Sequence, residues 1–131
     1  MNRWRGAMVT NKQPTEITER AFQFAVRIVK LRRHLDEKPG VSRTLAKQLL
    51  RSGTSIGANL EEGKGSQSEA EYLTKCSIAC KEDRETLYWL KLLSESEIFS
   101  ANQLSELTTE CNELVAILNS IIKKLKERRN G

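Results

Sequence analysis

The stretch ANQLSELTTECNELVAILNSIIKKLKER, residues 101–128, decides the architecture. Leu104, Leu107, Cys111, Leu114, Leu118, Ile121 and Leu125 recur in it at three- and four-residue steps. That spacing draws one apolar stripe down a long helix that must bury one side. Ser100 stands where an N-cap is needed, because its hydroxyl can accept from an amide of the first turn.

Working outward, three earlier segments repeat the pattern. Residues 69–94 carry Tyr72, Cys76, Ala79, Cys80, Leu87 and Leu90, preceded by two capping-box registers, Ser66 with Glu69 and Ser68 with Glu71. Residues 43–62 carry Leu45, Leu49, Ser52, Ile56 and Leu60, with Ser42 as N-cap and Gly63 or Gly65 suited to a left-handed C-cap. Residues 16–35 carry Ile17, Ala21, Phe24, Ile28, Leu31 and Leu35, with Thr15 as N-cap. Pro39-Gly40 breaks the first helix from the second. Four helices with short connections pack as antiparallel neighbours, so the expectation is an all-α, up-down-up-down four-helix bundle over residues 15–131. Residues 1–14 read as a flexible tail, with Met8 as an alternative start.

Composition narrows the function classes. The 131 residues fit one domain, 30% are charged and the net charge is +5. Three cysteines without a paired framework argue against a disulfide-held secreted protein. The N-terminus has no apolar core of a signal peptide and no run approaches a membrane span, so the cytoplasm is the expected compartment.

No catalytic, metal or cofactor site is expected. The one histidine, His34, lies on a polar face without the Glu-x-x-His partners of a di-metal bundle. Cys76 and Cys80 fall on an apolar stripe, a core pattern rather than a zinc pattern. Gly63-Lys64-Gly65-Ser66 lacks the spacing of a phosphate loop. Ser52 and Asn59 fall on or beside the stripe of the second helix, and Asp83 falls inside that of the third. Buried polar groups need partners. The structural reading pairs Ser52 or Asn59 with Glu82 or Glu85 across the helices. The competing reading gathers Glu62, Glu82, Asp83 and Glu85 into an acid-base or metal site.

The apolar residues outnumber what one subunit's core requires. On the third helix Ile78, Trp89 and Leu92 point away from the core stripe, and on the first Phe22, Val26 and Val29 form a second strip. Such patches mark contact surfaces. Gly53 and Gly57 stand one turn apart in the second helix, where glycine costs about 1 kcal/mol relative to alanine. Their spacing points to a close helix approach, from the same chain or a neighbour. Gly53, Gly57, Ile78, Trp89 and Leu92 are therefore the expected oligomer interface.

Positive charge is uneven, with nine Lys and Arg against four Asp and Glu in residues 1–40, and four against seven in residues 67–99. Arg20, Arg27 and Lys30 share a solvent face, and the last helix ends in Lys123, Lys124, Lys126, Arg128 and Arg129. In an up-down bundle that end meets Lys64 at the second turn. These nine cations are the expected nucleic-acid surface; the alternative is ordinary compensation of a helix dipole.

Arg51-Ser52, Thr54-Ser55-Ile56, Ala58-Asn59, Glu62-Gly63, Ser68, Lys81-Glu82, Glu85-Thr86 and Trp89-Leu90 form a pattern that resembles the four-helix-bundle family of 23S rRNA intervening-sequence proteins. Glu19-Arg20-Ala21-Phe22 and Phe24-Ala25 are similar to its first helix. The resemblance implies a non-enzymatic homo-oligomeric ring, expected as a pentamer. A related group, the accessory variability determinant of diversity-generating retroelements, implies partners among RNA, DNA and a reverse transcriptase or other nucleic-acid enzyme. The alternative is a protein–protein adaptor or structural oligomer with no nucleic-acid role. This chain departs from the accessory group in its modest charge, and from the family pattern at Asp83, where a small residue is more usual.

Overall fold

The computed structural model describes residues 16–37 and 40–130. Four helices follow in order: α1 (Ile17–Leu35), α2 (Val41–Gly63), α3 (Glu69–Glu95) and α4 (Ala101–Asn130). Each packs on the next in sequence, and α1 and α4 close the bundle along a thinner seam. The expected tail and the Thr15 cap lie outside the described residues.

The apolar stripes converge on one core. Phe24, Ile28 and Leu31 of α1, Leu49 and Ile56 of α2, Leu90 and Leu93 of α3, and Leu104, Leu107, Leu114 and Leu118 of α4 are fully enclosed. Each such side chain contributes about 1.5–3 kcal/mol by leaving water.

Helix ends show what stops and starts each element. α4 begins with a reciprocal capping box: Gln103 N donates to Ser100 Oγ at 3.1 Å and Ser100 N donates to Gln103 Oε1 at 3.2 Å. α3 uses the second of its two registers, with Glu71 N donating to Ser68 Oγ at 3.1 Å. α2 starts two residues earlier than the Ser42 cap implies. Gly40 takes φ 84°, a conformation open to glycine, and its carbonyl accepts from Arg43 N and Thr44 N.

The glycine cap expected after α2 is absent. The chain leaves α2 through Lys64 in a right-handed conformation. Gly63 is small for another reason: a Cβ there would sit 3.1 Å from the Tyr72 ring, where α3 begins against the end of α2. The left-handed cap falls instead on Glu97 at the end of α3, φ 60°. Ile98 N bonds Leu93 O at 3.2 Å and Glu97 N bonds Ser94 O at 3.1 Å, the Schellman arrangement with a non-glycine at its strained position.

Candidate assembly and nucleic-acid surfaces

Gly53 and Gly57 let α1 approach α2 within the same chain. A Cβ at Gly53 would lie 2.9 Å from Ile28 Cγ1, and one at Gly57 would lie 3.4 Å from the Ala21 carbonyl. Gly53 is buried, so its expected place in an oligomer interface is corrected: the close approach it permits is spent inside the subunit. Gly57 remains half-open, at the base of a cavity of about 280 Å³ lined by Thr18, Phe22, Ala25, Thr54, Ala58 and Glu61. Phe22 stands beside it with 59% of its surface exposed.

On α3 the expected outward face divides. Ile78 is exposed, while Trp89 and Leu92 are half-buried, and Trp89 packs on the core edge. Its indole Nε1 donates to Glu85 Oε2 at 3.0 Å. Tyr88 stands beside it edge-on, 58% exposed, with ring centroids 5.1 Å apart. The sequence reading missed Tyr88 and Val41 as exposed apolar residues, because each sits next to a charged or polar run and outside the stripes.

The polar residues of this face have other partners than expected. Arg51 of α2 bonds both Glu82 and Glu85, and the Trp89 donor, helped by Arg51, holds the Glu85 carboxylate below its usual range. Asn59 donates to Ser55 O of its own helix at 2.8 Å. Its expected pairing with Glu82 or Glu85 is corrected by register. Ser52 lies against Thr86 and Gly63 against Tyr72 and Lys75, which puts Asn59 roughly a turn away from Glu82. Ser52 also meets no carboxylate; its hydroxyl is hydrogen-bonded to that of Thr86 at 2.9 Å.

The cations sort into paired and unpaired sets. Arg20 is nearly enclosed between α1 and α4, its Nε 3.0 Å from Glu110 Oε2 and its Nη2 2.9 Å from Glu113 Oε1. That fork closes the thin seam, and the carboxylates push the guanidinium pKa up. Arg27 is half-buried on the same seam, and burial pulls its pKa down against the field of Glu110 and Glu106. Both are corrected from solvent-face cations to seam residues, because α4 supplies carboxylates where α1 supplies arginines. Lys30 is half-buried. Lys64 meets Glu16 at 3.0 Å and Arg128 meets Glu69 at 3.1 Å, which brings the start of α1, the α2–α3 turn and the end of α4 together as expected. Lys123, Lys124, Lys126 and Arg129 are exposed and form no ion pair among the described residues.

Asp83 is fully buried between α3 and α4. The Cys111 thiol donates to its Oδ1 at 2.9 Å, and Oδ2 has no hydrogen-bond partner among the described residues. Burial pushes the carboxyl pKa up to about 7, and the Glu110 charge adds to the rise against the pull of the thiol. Burial also pushes the Cys111 thiol up. The carboxylates of the acid-base reading do not gather: Glu82 and Glu85 hold Arg51, Glu62 accepts from Lys75 at 2.7 Å, and Asp83 faces α4. Among the described residues no three His, Cys, Asp or Glu side chains cluster to hold a metal ion, and no helix is long and apolar enough to cross a membrane.

The family model described as 23S rRNA-intervening sequence protein matches residues 13–120. A solved structure from Bacteroides thetaiotaomicron, described as a protein with unknown function from the S23 ribosomal protein family, is similar at 42% identity. The similarity covers 82% of this chain and 99% of that one, with a TM-score of 0.76. No curated protein matches the sequence.

Proposed function

This chain belongs to the 23S rRNA-intervening sequence protein family, and from that premise we propose that it is a non-enzymatic bundle that assembles with copies of itself and binds RNA or DNA through the end of α4. The observation that carries the reading is the contrast among its cations. Arg20, Lys64, Lys75 and Arg128 are engaged by glutamates, whereas Lys123, Lys124, Lys126 and Arg129 are exposed on the last two turns of α4, outnumber Glu127, the one carboxylate there, and form no ion pair among the described residues. Unpaired cations on a rigid helix release counterions from a phosphate backbone, and several copies multiply that effect. The ribosomal wording in the names of the family and of the similar structure agrees with an RNA partner.

Self-association is supported by Phe22, Val29, Val41, Ile78 and Tyr88, large apolar side chains that the subunit leaves exposed. A pentamer is the proposed count, from the family resemblance. Anisotropy with labelled single-stranded RNA and DNA tests the binding. Four phosphate contacts per subunit would lower affinity on the order of 50-fold between ~50 and ~200 mM salt. The triple variant Lys123→Glu, Lys124→Glu, Lys126→Glu should lose binding while its helix content stays intact. Failure to bind at the lower salt would favour the protein–protein adaptor or structural oligomer with no nucleic-acid role. Light scattering reads the assembly, and a monomer at high micromolar concentration would refute that half of the reading.

A further inference from the structure

We propose that Asp83 stands in the folded bundle as a neutral acid, and that the cost of charging it makes the α3–α4 seam a pH-sensitive element that weakens as the solution moves from acid to neutral. Three geometric observations carry this. The side chain is completely enclosed. Its one side-chain partner among the described residues is a thiol, a weak donor, on Oδ1. Its Oδ2 is enclosed with no partner, which a carboxyl group tolerates far better than a carboxylate does.

The surrounding elements offer no compensating cation. From α4 come Cys111 and Glu110, the latter a like charge. From α1 come Arg20 and Arg27, which are directed to the α4 carboxylates: Arg20 forks onto Glu110 and Glu113, and Arg27 feels Glu110 and Glu106. On α2, Arg51 is held by Glu82 and Glu85, and Ser52 is paired with Thr86. On α3, Cys80 and Arg84 both turn to Asn119.

The direction of the pH effect follows from the two states. Asp83 has the ordinary value of 3.8 in the unfolded chain and about 7 in the bundle. Below the lower value both states are protonated and this group takes nothing from stability. Between the two values the unfolded chain releases a proton that the folded chain keeps, so stability falls with rising pH. Above about 7 the loss is complete and the curve levels.

The test is urea unfolding of the full chain and of Asp83→Asn from pH 4 to pH 8, read as the ratio of their unfolding constants so that other groups cancel. The wild-type constant should rise relative to the variant about tenfold per pH unit in the steep part, on the order of a thousand-fold in all, and then level. A ratio that stays flat would overturn the proposal. Should Asp83→Asn fail to fold, the carboxyl-carbon NMR titration of Asp83 in the wild-type protein decides: a midpoint near neutrality supports the proposal and one near pH 4 refutes it.

Discussion

Toward α2, α3 presents Thr86, whose hydroxyl is bonded to that of Ser52 and donates to the Glu82 carbonyl at 2.8 Å. Toward α4, one turn away, it presents Asp83 against Cys111 with an oxygen left over. Both sites are fully buried. The first is neutral and every polar atom has a partner within reach, so it fastens register at little electrostatic cost. The second holds an ionisable group with half its hydrogen bonding missing, so its cost depends on the proton. Burial alone therefore does not make a polar group costly; charge and incomplete pairing do.

Substitutions at the two sites should separate them. Cys111→Ala removes the one side-chain donor to Asp83 and should destabilise by about 2–4 kcal/mol at pH 8, with a smaller loss at pH 5 where the acid is neutral. Urea unfolding at the two pH values measures this, and equal losses would mean that the thiol contributes only packing. Thr86→Val leaves the Ser52 hydroxyl only a long contact to Leu49 O at 3.5 Å and should cost about 1–3 kcal/mol at either pH. Adding Ser52→Ala should recover part of that loss, and a simply additive double variant would show that the two hydroxyls do not interact.

The end of α3 supplies a control distant from both clusters. Glu97→Gly relieves a left-handed residue and should raise stability by about 0.5–1 kcal/mol, seen as a higher Tm without pH dependence. The smallest effect belongs to Arg51→Ala on the outer face, at most ~1 kcal/mol and weaker in high salt, since Arg51 is half-exposed. A larger loss there would show that the Arg51–Glu82–Glu85 network, not the hydroxyl pair, holds α2 to α3.

The stripes were legible because they are local. Leu104, Leu107, Cys111, Leu114, Leu118 and Leu125 on α4 and Ala21 to Leu35 on α1 are buried as their periodicity requires, and Ile121 of the same α4 stripe is partly buried. Leu87 is an instructive exception. The periodicity placed it in the core, yet it is half-buried while Thr86 beside it is fully enclosed. The packing of α2 turned the buried sector of α3 toward the hydroxyl, which needed Ser52 to be level with it. Of the nine cations read as a nucleic-acid surface, Arg20 and Arg27 were misread because a polar helix face looks the same from sequence whether it meets water or a glutamate-bearing neighbour.

The sequence by itself determined that the described residues form four helices, roughly where each begins and ends, and which side of each is apolar. These follow from a 3.6-residue period, short connections and capping residues, all of which act over a few positions. Only the tertiary structure decided which polar groups meet. Arg51 rather than Asn59 took Glu82 and Glu85, Ile28 filled the space above Gly53, and Cys111 reached Asp83. Those outcomes rest on the axial register between helices, and a shift of one turn there changes every partner without altering a single stripe.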